Sequence, residues 1–426
     1  MINPRIEEYV EEICSYIKFK KVHTEIKLEI LDHIQEKTEE LMLNGLSKEE
    51  ALKKALDEIG QAELIGRPLN QSHKASAEWG LLSMTIVFSL LGIVIAYLIV
   101  ANKVINYSTP FYNSVVFNII GYIFLIGLYF FDYKKLEKHS LRIFIGIILI
   151  LFLQMIIAAP INGKRAWIPL GSFTVNIVDL TLFLFPISLS KLIRIINLRR
   201  YREYIYLSLM LVVPFMQYIM LGSFMEAFIY FVLFIVLMLN SKVRLGYIFS
   251  TISLFFVVCT YTIASQPYRI KRLLIFMNPE KDPKGSGFIN IQIQNLLSSA
   301  GLKGKGFTFP GTLPEVHTDL ILTYIIYTFG WVAGIMLIGL VLSFIVRMFV
   351  AAGEVKDAYG RLLIQGFLCI FTIEFVWNIL MIFGLVPIVS MGMPFISYGS
   401  SMVLTHMAAV GIMISIYRCK NLSFVS

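Results

Sequence analysis

Residues 266–319 read QPYRIKRLLIFMNPEKDPKGSGFINIQIQNLLSSAGLKGKGFTFPGTLPEVHTD, and their reading decides how the rest of the chain is laid out. They form the longest polar interruption in a C-terminal half that is otherwise mostly apolar. Arg269, Lys271, Arg272, Lys281, Lys284, Lys303 and Lys305 stand against Glu280, Asp282 and Glu315, so the stretch is basic. It closes on Asp319, where the next apolar run begins. On both sides the chain is too apolar for a water-soluble domain. Of its 426 residues 57% are hydrophobic and 15% charged, where soluble domains average about 25% charged. Several apolar runs reach about 20 residues, enough to cross about 30 Å of hydrocarbon. Solid helix-length blocks, rather than alternating segments of about ten residues, exclude a transmembrane barrel. The expected fold is all-α: a polytopic membrane protein of about ten transmembrane helices.

The spans fall near 79–101, 111–131, 142–159, 174–193, 204–221, 223–239, 244–265, 318–346, 362–384 and 395–417. Basic loops at 132–142, 191–202, 240–244 and 347–361, with the Arg418-Cys419-Lys420 tail, share one parity. By the positive-inside rule that side is cytoplasmic, with both termini inside. Three segments then face outward: 162–173, 266–317 and 384–395. The first two are basic although translocated, which calls for an anionic ligand; a phosphate or diphosphate suits clustered Lys and Arg. Long loops translocate whatever their charge, so Lys164 and Arg165, in a short loop, are the more informative pair.

Residues 1–74 hold 11 Lys/Arg and 15 Asp/Glu; the remaining chain carries 26 and 13. The net charge of +9 is therefore membrane anchoring, not a nucleic-acid signal. The first 74 residues read as a separate cytoplasmic helical bundle. Ile6, Tyr9, Val10, Ile13 and Ile17 recur at helical spacing, a second helix spans 24–43, and Ser47 with Glu50 makes a capping box. Gly60 ends the third helix, and AELIGRPLNQSHKAS reads as a linker to a ten-span domain over 75–426. The module is expected to dock an unidentified cytoplasmic partner. No cleavable signal peptide is expected, because this charged start lacks an apolar core. Cys14, Cys259, Cys369 and Cys419 are too scattered for a disulfide framework or a zinc site.

Four ordered motifs carry more than composition does. They are GKRAWIPLG (163–171), NPEKDPKGSGF (278–288) followed by Gln292 and GLKGKGF (301–307), LPEVHTD (313–319) and PFISYGSS (394–401). As a set they resemble the SEDS family of cell-wall polymerases, the rod-shape, cell-division and spore-cortex proteins, over roughly residues 79–417. The resemblance implies a peptidoglycan glycosyltransferase. Its substrate would be lipid II, a disaccharide-pentapeptide on undecaprenyl diphosphate. It would act at the outer face of the cytoplasmic membrane, beside a class B penicillin-binding protein; separately, residues 1–74 resemble the helical prefix ahead of some Gram-positive permeases and membrane signalling proteins, which implies a Gram-positive bacterium. Asp319 matches the essential aspartate of the family motif, which implies a general base. Partial burial raises a carboxyl pKa toward a useful range. The bland alternative is a helix N-cap, which Asp319 and Thr318 both suit.

Around that base, Lys164, Arg165, Arg269, Lys271, Arg272 and Lys305 are the expected diphosphate holders, assisted by a divalent cation such as Mg or Mn. Trp167 is either a substrate contact or an interfacial anchor. His317 either tunes Asp319 or sits at the interface, and Glu315 orders the loop. Ser397 and Tyr398 shape the cavity or touch substrate. The chain departs from the family in several places. Phe215 follows Pro214 where an aspartate is usual, Ala166 separates Arg165 from Trp167, and Asn176-Ile177-Val178-Asp179 replaces Gln-Pro-Ser-Glu. The stretch between Gly306 and Leu313 is shortened, YTFGW follows where acidic residues are common, and Ser400 replaces a second glycine. Asp179 and Glu374 remain as deep acids, expected to pack inside the bundle. A lipid II flippase and a non-catalytic lipid-II-binding scaffold are the competing readings.

Overall fold

A computed structural model of the chain describes residues 4–72, 78–105, 107–161, 163–170, 173–196, 201–241, 243–264, 267–310 and 313–420. Residues 197–200 of the basic cluster expected at 191–202 lie outside the described residues, as do the side chains of Arg269 and Arg272. The described chain divides by packing into two units, 78–354 with 358–416, and a smaller one of 4–72 with 355–357 and 417–420.

The small unit is helical throughout: α1 (Pro4–Ser15), α2 (His23–Leu43), α3 (Lys48–Ile59) and α4 (Ala62–Ser72). Val10, Ile13 and Ile17 are buried, the inward face that the helical spacing predicts, and Ile26 and Ile34 are buried on α2. Ser47 accepts from the Glu50 amide and Glu50 reaches back to the Ser47 amide, so the capping box forms. Gly60 ends α3 at φ 101°. The expected linker is corrected: 62–72 is helix α4, with Pro68 inside it. The Gly66 Cα approaches α1 so closely that a Cβ would lie 2.9 Å from the Ile13 carbonyl.

The large unit holds α5 (Trp79–Ala101), α6 (Thr109–Phe130), α7 (Lys134–Lys138), α8 (Ser140–Ile157), β1 (Trp167–Leu170) and β2 (Phe173–Asn176). They are followed by α9 (Ile177–Ile195), α10 (Tyr201–Met220), α11 (Phe224–Asn240), α12 (Leu245–Ala264), α13 (Pro267–Met277) and α14 (Phe288–Ala300). The chain ends in α15 (Ile321–Phe329), α16 (Trp331–Glu354), α17 (Ala358–Ile382) and α18 (Ser400–Arg418). Among the described residues seven helices are long and apolar enough to cross a membrane: α5, α6, α8, most of α10, α16, α17 and α18. The other expected spans correspond to α9 and to two shorter apolar stretches, Phe224–Asn240 and Leu245–Tyr261.

These helices sort into layers. On α6 and α8 large apolar side chains point outward: Ile119, Ile123, Phe124, Leu149, Phe152 and Ile156 are all more than half exposed. An unbroken apolar surface of this kind belongs in lipid. By contrast α17 and α18 are mostly enclosed, packed against α9, α11 and an aromatic cluster. Phe395 lies 5.6 Å from Phe371, 5.8 Å from Phe344 and 6.2 Å from Phe88, centroid to centroid. Such pairs add about 1 kcal/mol each beyond their buried area.

Three further expectations need correcting. The outward segment 162–173 is not all loop: β1 and β2 form an antiparallel hairpin with Trp167 opposite Asn176 and Ile168 opposite Val175. The expected span 318–346 is broken at Gly330 into α15 and α16. The cause is a backbone crossing with the GLKGKG stretch. Lys305 N donates to Tyr327 O (2.8 Å), Gly306 N to Thr328 O (3.1 Å) and Trp331 N to Gly301 O (3.1 Å). A Cβ on Gly330 (φ +90°) would lie 2.1 Å from the Leu302 carbonyl, so only glycine fits there. The 266–317 stretch, expected as loop, therefore contains α13 and α14 and locks α15 in place.

Candidate active site

Between α15 and its neighbours lies a cavity of about 560 Å³, a size in the range of small-molecule sites. Its wall begins with the turn Pro314–Leu320. Glu315 adopts φ +53°, and Thr318 and Leu320 donate their amides to its carbonyl (3.2 and 3.1 Å), while Thr318 Oγ1 donates to Glu315 Oε2 (2.8 Å). Glu315 thus orders the turn. The turn is stapled to the PFISYG segment: Ser397 Oγ donates to Thr318 O (2.6 Å) and accepts from Met393 N (2.7 Å), and Tyr398 N donates to His317 O (2.9 Å). From α17, Asn378 Nδ2 donates to both Asp319 O (2.9 Å) and Met391 O (2.7 Å). Phe395, at φ 64°, is the second non-glycine residue of this assembly in the left-handed region. Strained backbone of this kind is held only where surroundings over-determine it.

The result is that Asp319 does not cap a helix. Leu320 occupies the N-cap of α15 and no side chain caps it. The Asp319 carboxylate faces the cavity and is hydrogen-bonded by Ser390. Burial pushes its pKa up to about 6; the Glu315 charge pushes the same way, and Ser390 and Lys164 oppose. His317 is held below the usual imidazole range by burial, against the pull of Glu315. Its Nε2 is 3.3 Å from the Tyr107 hydroxyl and its ring packs between Tyr107 and Tyr398.

On the opposite wall, the segment before β1 is threaded between α8 and the α10–α11 turn. Arg165 N donates to Leu221 O (2.9 Å) and Gln154 Nε2 to Arg165 O (3.1 Å). Gly222 comes so near that a Cβ there would be 2.3 Å from the Gly163 carbonyl. This path turns Lys164 into the cavity, where its Nζ is 3.2 Å from Glu226 Oε1 at the start of α11. Burial disfavours its charge, but Glu226, Asp179 and Asp319 together outweigh burial and hold its pKa above the ordinary value. Asn176 caps α9, accepting from the amides of Val178 (3.1 Å) and Asp179 (3.2 Å), and donates to Asp179 Oδ2 (2.6 Å). Deeper, His406 Nε2 lies 2.9 Å from Glu374 Oε2, inside rings of Phe183, Phe371 and Phe395.

Of the residues expected from sequence, Lys164, Trp167, Glu315, Asp319 and Tyr398 line this one cavity. Others stand apart from it. Arg165 is exposed and donates from Nη1 to Met155 O (2.8 Å). Ser397 is buried behind the wall as a staple. Lys271 and Lys305 are exposed and do not line the cavity, and the backbones of Arg269 and Arg272 lie on α13. Sequence reasoning missed Glu226, Ser390, Asn378 and His406. Glu226 and His406 had a signal, an ionisable group inside an apolar helix; Ser390 and Asn378 had none. Among the described residues no three His, Cys, Asp or Glu side chains are grouped to hold a metal. The expected Mg or Mn therefore finds no ready protein site, and no step is assigned to it.

The chain matches the profile of the FtsW/RodA/SpoVE family, described as a cell cycle protein, over residues 76–422. A probable peptidoglycan glycosyltransferase FtsW of Trichlorobacter lovleyi is 27% identical over 356 residues, covering 79% of this chain and 92% of that protein. The peptidoglycan glycosyltransferase RodA of Treponema pallidum is 24% identical over 388 residues, covering 72% and 90%. Among solved structures, a chain of a peptidoglycan synthase complex that coordinates polymerization and crosslinking superposes with TM-score 0.69 at 21% identity, covering 80% of this chain and 98% of that one. The rod shape determining protein RodA of Thermus thermophilus superposes with TM-score 0.62 at 18% identity, covering 82% and 99%. With most of its length matched, the chain belongs to the FtsW/RodA/SpoVE family.

Proposed function

We propose that this chain is a peptidoglycan glycosyltransferase that polymerises lipid II at the outer face of the cytoplasmic membrane. The observation that carries the reading is the half-buried Asp319, with a pKa near 6, on the wall of a cavity that also holds Lys164. A carboxylate of that basicity is ionised at neutral pH and can still take a proton from a hydroxyl that is forming a bond. In the step, Asp319 accepts the proton of the acceptor sugar hydroxyl. That oxygen's electron pair forms the bond to the anomeric carbon of the donor. The bond from that carbon to the diphosphate oxygen breaks, its electrons leaving with undecaprenyl diphosphate. Arg165, Arg269, Lys271, Arg272 and Lys305 are the cations offered to the diphosphate, and Trp167 and Tyr398 offer ring faces to sugar. The partner fitting this activity is a class B penicillin-binding protein acting as transpeptidase. Both termini would be cytoplasmic, in a Gram-positive cell, with 1–74 docking a cytoplasmic partner.

The test is lipid II polymerisation by the purified chain with its cognate transpeptidase, comparing wild type with Asp319→Ala. Glycan strands from the wild type alone support the reading. Equal strands from both would remove Asp319 as base. No strands from either, with lipid II still bound, would favour a scaffold, and movement of lipid II across vesicles without strands would favour a flippase.

A further inference from the structure

A second cavity, of about 440 Å³, lies between α11, α16 and α17, and none of its lining residues belongs to the cavity around Asp319. Val232, Val236, Phe349, Leu368 and Ile373 make its wall mainly apolar. Its lining runs from Gln365 to Ile373 on α17 and from Val232 to Asn240 on α11. At 1.5 Å of rise per residue each run is about 12 Å, so the cavity is a groove along the helices. It opens toward the lipid: Phe349 at its edge is 69% exposed, and a Cβ on Gly353 would meet nothing within 4 Å. An apolar groove open to hydrocarbon gains dispersion contacts when a chain fills it. Polarity collects at one end, where Asn240 closes α11 and Gly353 is the last residue but one of α16. There Gln365 Oε1 is buried without a partner, which is costly unless a ligand meets the amide. One turn earlier on the same face of α17 stands Arg361, exposed and ion-paired with no carboxylate among the described residues.

We propose that this groove holds an anionic phospholipid of the cytoplasmic leaflet, with its phosphate at Arg361, an acyl ester at Gln365 and the chain between α11, α16 and α17. Arg361, Gln365 and Leu368 descend one stripe of α17 as cation, amide and apolar side chain. A phospholipid presents its phosphate, ester and chain in that order. Arg361 and Gln365 are four residues apart, about 6 Å along the axis, and a glycerol backbone separates phosphate from ester in the same way. Turning the Gln365 amide over presents Nε2, which donates to the ester carbonyl. The basic segment 347–361 puts this end on the cytoplasmic side by the positive-inside rule, where anionic headgroups attract arginine. The proposal is independent of the glycosyltransferase reading.

The test titrates the full chain, delipidated in detergent, with phosphatidylglycerol and separately with phosphatidylcholine, and counts bound lipid by native mass spectrometry. The wild type is expected to bind one phosphatidylglycerol about tenfold more tightly than phosphatidylcholine, the gain from one charge-assisted contact. Arg361→Gln should abolish that preference and leave phosphatidylcholine binding unchanged. Gly353→Leu fills the groove where there is room and replaces a helical glycine by a better helix former; it should weaken both lipids about tenfold. Unchanged melting temperatures establish that the variants fold, and where Gly353→Leu does not, the exposed Arg361→Gln decides. Equal affinity for the two lipids in the wild type, a preference that survives Arg361→Gln, or a folded Gly353→Leu that binds lipid as the wild type does overturns the proposal. So does displacement of the lipid by the transpeptidase's membrane helix, which would make the groove a helix-docking face.

Discussion

The base role proposed for Asp319 requires its ionised form, and burial has moved that condition close to neutrality. Its pKa near 6 means that kcat/KM should climb about tenfold per pH unit below that value and level off above it. Initial rates of lipid II polymerisation between pH 5 and 8 measure this; a flat profile would remove the assignment. Ser390 sharpens the test. Its hydrogen bond favours the ionised carboxylate, so Ser390→Ala raises the pKa further and the acidic limb moves to higher pH while the plateau rate changes less. A merely structural serine would leave the limb in place. The Lys164–Glu226 pair makes a different claim. Lys164→Met strands Glu226, which is buried, and should cost about 3 kcal/mol of stability, as broken buried pairs do. The double variant Lys164→Met/Glu226→Met should recover most of it in thermal unfolding, the signature of a coupled pair. Asp319 could be singled out from sequence because it stands in a short local motif, LPEVHTD, that carries the family resemblance. Glu226 could not: nothing in the spacing of residues 164 and 226 says that the chain returns there, and only the Gly163–Gly222 approach brings them together.

At the scale of elements, helices announced themselves and their junctions did not. The span 79–101 was read from an unbroken apolar run and is helix over those residues, because backbone in lipid has no other way to satisfy its hydrogen bonds. The break at Gly330 arises from a crossing with Gly304, a long-range fact that composition does not encode. The strand pair 167–170 and 173–176 was hidden because each strand is only four residues long, too short for a period-two pattern to show. What these junctions do is hold the Asp319 turn still. Asn378, on α17, ties the Asp319 carbonyl to the Met391 carbonyl and so joins the base to the loop carrying Ser390. Asn378→Leu keeps the volume and leaves two carbonyls unpaired, at about 2 kcal/mol of stability. A displaced base costs more in rate than in folding, so kcat should fall about 100-fold with KM little changed. If kcat stays within about twofold of wild type while stability falls, the clamp is structural only.

Beside the ten expected spans stands an acidic helical unit that charge, helical spacing and a capping box had set apart in the sequence. That unit is not purely N-terminal. Val355–Asp357 and residues 417–420 pack with residues 4–72, where Val355 and Cys419 are buried and the Lys356 amide donates to the Lys420 carbonyl. Arg418 lies over the Phe19 ring, 6.0 Å from its centroid. Among the described residues, none that lines the cavity belongs to this unit. Deleting residues 1–72 should therefore leave polymerisation within about twofold of wild type, since the cavity proposed for the chemistry is lined by residues of the other unit. The melting temperature should drop, because 355–357 and 417–420 lose the residues that cover them. A synthesis rate that collapses in a folded truncated chain would instead make the helical unit part of the catalytic machinery. A rate preserved in vitro but lost in cells would mark it as the site where a cytoplasmic partner controls when glycan is made.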